Sequence, residues 1–206
     1  MSKLQRIILL VDNSGSMDGK PIEDIKQSLA MLKEEINNHN KINKDNKKLE
    51  VITFSSEAKL ISNNALHHIS ASGGTNISSA YKVLRNRLHK VSKDEVLPLI
   101  ILLSDGATGE NGEAKKELNK LKRMKVFAKS KRLAFAYNNQ TFETKQILSD
   151  FTQNRSLVFF ERSSKILKHI IGSLLPKVIF KKKRPKIQIN VLSNKVKILK
   201  NSACKW

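Results

Sequence analysis

The chain has 206 residues, of which 39% are hydrophobic, so it can bury one sizeable core but is too short for two comfortable domains. No stretch reaches the roughly 18–20 apolar residues of a membrane-spanning helix, so we expect no membrane span. The formal charge of +21 favours association with something acidic: nucleic acid, an anionic protein or a membrane surface. A solvated, lysine-rich surface is the alternative explanation of that charge.

The cysteine content favours a reducing compartment, because the single Cys204 cannot build a disulfide framework. The apolar run from Ile7 to Val11 follows Lys3 and Arg6, as it would in a signal peptide. It is too short for that role, and a polar, acid-containing loop follows it. We therefore expect mature structure here and a cytoplasmic protein.

The first elements are a buried strand and an amphipathic helix. The run Ile7–Val11 is rich in β-branched residues, which predicts a strand buried on both faces of a parallel sheet. A helical pattern then opens at Pro21, a residue favoured in a first turn. Its apolar positions recur at spacings of 3, 4, 3 and 4: Ile22, Ile25, Leu29, Leu32 and Ile36. The polar stretch Asn37–Lys48 is predicted to end this helix and form an exposed loop.

The rest of the chain predicts a continuing alternation of strands and helices. Leu49–Phe54 and Glu57–Ile61 are so close that they must pair as a hairpin. The later elements are predicted as a polar loop at Ser70–Ser78, a helix with Ala80, Leu84 and Leu88 on one face, a buried strand at Leu97–Leu103, a helix at Glu113–Lys125, a strand at Arg132–Tyr137, a helix at Phe142–Phe151, a strand at Ser156–Phe160 and a closing helix from Ile166 to Leu175. Ser163 is the predicted N-cap of the closing helix and Pro176 its stop. This alternation predicts an α/β fold with a doubly wound, mostly parallel sheet.

The composition changes after the closing helix, which predicts a main domain at residues 1–176 and a basic C-terminal extension at residues 177–206. The extension contains ten Lys or Arg residues and no acid. Ile187, Ile189 and Val191 alternate with polar residues, as do Val196 and Ile198. The extension is thus predicted as either a two-stranded β-ribbon, which is marginally stable alone, or a disordered tail.

Polar side chains follow the two most apolar strands. Asp12, Ser14 and Ser16 follow the first, Asp105 follows Leu97–Leu103, and Thr75 lies in a Gly-Gly-Thr loop that the fold could bring alongside. Open α/β sheets bind ligands at the carboxyl edge of the strands. Two carboxylates and three hydroxyls are hard oxygen donors, which suit Mg²⁺ or Mn²⁺ rather than zinc. The two carboxylates balance a dication, and a carboxylate from outside could replace a bound water.

Three separated motifs resemble those of a known family. DNSGSM at 12–17 resembles the Asp-x-Ser-x-Ser signature of the metal-ion-dependent adhesion site of the von Willebrand factor type A domain, with GGTN at 73–76 and LLSDG at 102–106 as its expected companions. The likeness runs from about Gln5 to Leu175. Its KPIEDIKQSL segment is similar to that of the bacterial members, among which the chain most resembles the stand-alone proteins of the tellurium-resistance type. For the hexapeptide alone, ordinary turn and capping chemistry is the alternative.

The resemblance implies a sheet in the order 3-2-1-4-5-6 with an antiparallel third strand at the edge and helices on both faces. It also implies that Ser14, Ser16 and Thr75 offer hydroxyls to the metal, while Asp12 and Asp105 bind it directly or through water. The basic extension has no counterpart in the minimal domain.

The leading functional prediction is a non-enzymatic module that binds an Asp or Glu of a protein partner through the metal, in stress-response or assembly work. The alternative is a nucleic-acid-binding protein that uses the Lys177–Lys205 region and the basic segment Lys115–Arg132. A third alternative is a metal-dependent hydrolase. It is disfavoured because the sequence offers no separate general base or leaving-group acid near the metal.

Overall fold

A mostly parallel β-sheet organises the molecule. The structure, a computed structural model, describes residues 2–105, 112–137, 141–161, 168–169, 171–172, 175–180, 189–192 and 195–198. The main sheet of the described chain has six strands: β1 Gln5–Asp12, β2 Lys47–Phe54, β3 Ala58–Ile61, β4 Val96–Ser104, β5 Lys131–Tyr137 and β6 Val158–Glu161. Their order is β3-β2-β1-β4-β5-β6, and only the β2–β3 pair among them is antiparallel. The predicted α/β fold, strand order and antiparallel edge strand are confirmed.

Helices cover both faces of this sheet. They include α1 Lys20–Asn43, α2 Ile77–Leu88, α3 Gly112–Arg123, α4 Lys125–Lys129, α5 Phe142–Thr152 and α6 Leu175–Phe180. Short 3₁₀ turns occur at Gly15–Met17, Leu66–His68 and Arg155–Leu157. None of the helices in these ranges has the length and apolar character needed to cross a bilayer.

Successive side chains of β1 enter two different hydrophobic cores, because the side chains of a strand alternate between faces. Ile7, Leu9 and Val11 pack in one core with the apolar stripe of α1 and with residues of α6. Ile8 and Leu10 pack in the other core, with apolar residues of α2, α3, α4 and α5. All five side chains are fully buried, so the unbroken apolar run reflects a strand with no solvent-facing side.

Helix α1 is longer than predicted, since it continues to Asn43 rather than ending in a loop from Asn37. Its last turns extend beyond the apolar stripe and are held by side-chain contacts instead. Asn40 exchanges two hydrogen bonds with the backbone of Lys47, and the His39 ring contacts Asp45 at 2.9 Å. The helix ends at Asn43, and Lys44 after it caps the helix in a left-handed conformation with φ of 52°. Periodicity alone underestimates a helix whose end projects into solvent.

Other predicted bounds differ near the end of the main sheet. Ser156 belongs to a 3₁₀ turn in which the Asn154 side chain accepts from its N–H, so β6 begins at Val158. The predicted helix at Glu113–Lys125 divides into α3 and α4, because Met124 is extended. Pro176 does not stop a helix. It lies inside α6, as the second residue of that helix.

Part of the C-terminal prediction falls outside the described residues. Ser163 and Ile166 are not among them, so the start of the predicted closing helix stays a prediction. In the basic region, β7 Ile189–Leu192 pairs antiparallel with β8 Lys195–Ile198. The division at residues 176 and 177 stays a prediction as well.

Candidate metal centre

Asp12 lies at the carboxyl end of β1, where its carboxylate is fully buried. The parallel register pairs Val11 with Leu103, which brings Asp12 level with Ser104 at the end of β4. The Ser104 hydroxyl donates a hydrogen bond to Asp12 Oδ2 at 2.6 Å, and the Ser14 N–H donates to Asp12 Oδ1 at 2.9 Å. The carboxylate is therefore held both by β4 and by the loop that follows β1.

The two serines of the Asp-x-Ser-x-Ser loop come together above this carboxylate. Ser14 Oγ lies 3.1 Å from Ser16 Oγ, within hydrogen-bonding distance. Ser14 is buried. Ser16 is exposed and is the second residue of the 3₁₀ turn Gly15–Met17. The loop thus presents a pair of adjacent hydroxyl oxygens running from the interior to solvent.

The Gly-Gly-Thr loop is joined to the same loop by backbone hydrogen bonds. The Gly15 N–H donates to Gly73 O and the Ser72 N–H donates to Asn13 O, both at 2.9 Å. Thr75 lies two residues beyond Gly73 and is half-buried. These bonds place the loop that carries Thr75 beside the two serines.

Asp105 directly follows β4 and is largely buried, with 7% of its surface exposed. Burial raises the pKa of the Asp12 carboxyl, while hydrogen bonds from Ser104 and Ser14 oppose this and the negative charge of Asp105 adds to it. The negative charge of Asp105 thus acts on the buried carboxylate of Asp12. A cation between them would relieve both the burial and the repulsion.

Ser104 is a residue whose role the sequence analysis did not recognise. Its presence in the strand end was evident, but only the parallel register puts its hydroxyl against Asp12. The predicted strand order already put β1 beside β4, but the register that brings Asp12 level with Ser104 was not predicted from the sequence.

The donor set fits a hard divalent cation. Within the part of the chain that the structure describes, no three His, Cys, Asp or Glu side chains come together as candidate metal ligands. A metal at this edge would therefore need hydroxyl oxygens besides the carboxylates of Asp12 and Asp105, as in oxygen sites for Mg²⁺ or Mn²⁺. The contacts reported above supply such hydroxyls at Ser14 and Ser16.

Comparisons with known proteins agree with this architecture. The family model for the von Willebrand factor type A domain matches residues 7–173. The inter-alpha-trypsin inhibitor heavy chain H4 of Bos taurus is 31% identical over 121 residues, which cover 50% of this chain and 12% of that protein. The chain therefore spans only a small part of that relative's length.

Two solved structures share the fold at low sequence identity. A von Willebrand factor type A protein from Catenulispora acidiphila superposes with a TM-score of 0.68 at 14% identity, covering 88% of this chain and 44% of that chain. Proximal thread matrix protein 1 from the mussel byssus, with a zinc-occupied metal-ion-dependent adhesion motif, superposes with a TM-score of 0.59 at 17% identity, covering 86% and 46%. On the extent of the family match, this chain belongs to the von Willebrand factor type A domain family, a family of metal-dependent protein-interaction modules.

Proposed function

We propose that this protein binds a partner through a divalent cation held by Asp12, Ser14, Ser16, Thr75 and Asp105. An Asp or Glu carboxylate of the partner completes the coordination of the cation. The metal supplies positive charge and open coordination positions when it is bound. The protein's own residues orient the oxygen donors and hold two carboxylates in a buried setting. The role proposed is adhesion, without catalysis.

The observation that carries this proposal is the convergence of three distant loops at one sheet edge. The Ser104 hydroxyl donates to Asp12, which is 92 residues away in the sequence. The Gly15 N–H donates to Gly73 O and so joins the Asp-x-Ser-x-Ser loop to the Gly-Gly-Thr loop. Asp105 acts electrostatically on Asp12. Loops that served only as turns would not need two buried carboxylates beside a pair of hydroxyls, because each buried charge costs desolvation energy.

Mg²⁺ or Mn²⁺ is the proposed occupant, because the donors are all hard oxygens and the site offers no His or Cys in its proposed set. The mussel protein carries zinc in its own motif. The donor chemistry therefore favours Mg²⁺ or Mn²⁺ over zinc. A metal titration of the protein should include all three ions.

A carboxylate-bearing partner also fits the charge of the chain. With a formal charge of +21, the protein attracts acidic surfaces over a distance set by the ionic strength. At 0.1 M salt that distance is about 10 Å, so association should slow as salt is added.

The proposal extends to a bacterial, cytoplasmic setting in a stress-response system of the tellurium-resistance type. Its support is the resemblance of the segment that begins α1, KPIEDIKQSL, together with the single cysteine of the chain.

Metal binding is tested by isothermal titration of Mg²⁺, Mn²⁺ and Zn²⁺ into the full chain after EDTA treatment and dialysis. We expect Mn²⁺ to bind and to raise the unfolding temperature of the wild type, because a ligand that binds only the folded state stabilises it. Asp12→Ala and Thr75→Ala should lose both effects. Asp94→Ala is the matched control, since Asp94 is an exposed acid in the turn before β4, at the opposite edge of the sheet.

Equal Mn²⁺-dependent shifts in wild type and Asp12→Ala would refute the assignment of the site. Partner binding is tested separately, by capture from lysate with and without EDTA. Capture by the wild type should fall on addition of EDTA and in Thr75→Ala. Capture that is indifferent to both changes would remove the metal bridge from the account.

A further inference from the structure

The turn between β2 and β3, in addition to the Asp-x-Ser-x-Ser loop, holds the Gly-Gly-Thr loop. The Gly74 N–H donates to Ser56 Oγ at 3.0 Å, and the Asn76 N–H donates to Ser55 O at 2.7 Å. The Asn76 side chain adds a third bond, from Nδ2 to Ser56 O at 3.3 Å. Both chain neighbours of Thr75 are therefore bound by this turn.

Ser56 and Gly73 also approach each other closely. Gly73 has a φ of +73°, a left-handed conformation that favours glycine. A Cβ atom on Gly73 would lie 2.7 Å from Ser56 Oγ, closer than real contacts allow. The loop thus runs against the Ser56 hydroxyl with no room for a side chain between them. The same residue, Gly73, accepts from Gly15 on its other side.

We propose that Ser56 is a positioning residue for the metal centre, which fixes Thr75 against the two serines through the Gly74 N–H. This inference rests on the proposed metal-binding function. Ser56 itself lies on the surface, in the turn that follows Phe54, and is not one of the proposed ligands. Its hydroxyl reaches the centre only through the backbone of the Gly-Gly-Thr loop.

The physical basis is the preorganisation of a ligand-bearing loop. In the metal-free protein, the hydroxyl of Ser56 keeps the backbone at Gly74 in one conformation, so that the Thr75 donor is already in place when a cation arrives. Without the hydroxyl, the loop samples other conformations, and ordering it opposes metal binding. The fold itself does not depend on this bond, because Ser56 is exposed and the core contacts of β2 and α2 do not include it.

The test compares Ser56→Ala with Ser56→Thr and with the control Ser62→Ala in the full chain. Ser62 is an exposed serine whose Oγ also accepts a backbone N–H, from Asn64, but it lies at the other end of β3. Two quantities are measured for each: the Mn²⁺ dissociation constant, and the unfolding temperature in EDTA. We expect Ser56→Ala to weaken Mn²⁺ binding about three- to tenfold, the effect of losing one ordinary hydrogen bond.

Ser56→Thr, which retains a hydroxyl, should restore binding, and Ser62→Ala should bind as the wild type does. The unfolding temperatures in EDTA should agree among all of them. Wild-type Mn²⁺ affinity in Ser56→Ala, while Thr75→Ala loses binding, would overturn the positioning role and leave the metal centre intact. A lowered unfolding temperature of Ser56→Ala in EDTA would overturn it too, by showing a structural role. If the wild type itself binds no metal, the proposed function fails instead.

Discussion

Glu50 is expected to be the charged side chain on which stability depends most. It lies on β2 with 3% of its side chain exposed, and its two oxygens accept hydrogen bonds from two arginines. Arg6 on β1 donates at 2.8 Å, and Arg87 on α2 donates twice, at 2.8 and 3.0 Å. Arg6 also pairs with Glu95 at 2.7 Å. This buried network ties two strands to the helix that covers them.

The perturbation is Glu50→Gln, which keeps the size of the side chain but turns one acceptor into a donor facing an arginine. Removing one partner of a buried ion pair costs about 3–5 kcal/mol, because the remaining charge is left buried and unpaired. In Glu50→Gln that charge is Arg87, since Arg6 keeps its pair with Glu95. For a chain of this size each kcal/mol lowers the unfolding temperature by about 2–4 °C, so the expected loss is about 6–20 °C. Glu113→Gln is the control, since the Lys82–Glu113 pair is half exposed and should contribute under about 1 kcal/mol.

The assay is thermal unfolding by circular dichroism in EDTA, with and without added Mn²⁺. The network lies six residues along β1 from Asp12, about 20 Å at the rise of a strand, so Mn²⁺ affinity should not change. Similar unfolding temperatures for Glu50→Gln and Glu113→Gln would refute the reasoning.

The pH dependence of the difference provides a second check. Burial by itself raises the pKa of Glu50, but the bonds and charges of Arg87 and Arg6 outweigh it, and the net pKa lies below its usual value of 4.5. A carboxylate with a lowered folded-state pKa contributes stability that is present above the unfolded-state value and is lost as the pH falls through the folded-state value. The advantage of the wild type over Glu50→Gln should therefore begin to shrink as the pH falls below about 4.5, and it should vanish only below the lowered folded-state pKa. A difference that does not shrink as the pH falls below about 4.5 would contradict this assignment.

Two further predictions concern the metal edge and the basic region. Ser104→Ala removes the hydroxyl that donates to Asp12 and should weaken Mn²⁺ binding about tenfold or more, since bonds to charged groups contribute about 1.5–3 kcal/mol. The control is Ser130→Ala, a buried serine that bonds to Val126 O near the start of β5, and equal Mn²⁺ affinities in the two variants would contradict the role of Ser104. For the nucleic-acid alternative, a chain that ends at Phe180, which stacks on His39 and so is retained, should lose any gel shift of a DNA duplex without losing Mn²⁺ binding. A shift that survives this removal would place nucleic-acid binding outside the basic extension.

Much of the fold was predictable because its strongest signals are local and redundant. The apolar run of β1 and the apolar stripe of α1 are each long enough to identify the first as a buried strand and the second as an amphipathic helix. The hairpin of β2 and β3 followed from the shortness of their connection. Some predicted bounds were wrong for local reasons: α1 continues past the end of its apolar stripe, and α6 includes Pro176 instead of ending before it.

The sequence by itself determined which chemical groups stand at the ends of the strands: two carboxylates and a set of hydroxyls, all hard oxygen donors. Only the tertiary structure decided which of them meet, because the register of β1 with β4 brings Ser104 against Asp12. It also decided that Ser56 supports the loop of Thr75, a contact between residues far apart in the chain. Local patterns encode the type and ends of an element. Contacts between loops depend on the order and register of the strands, and these are set by segments that lie far apart in the chain.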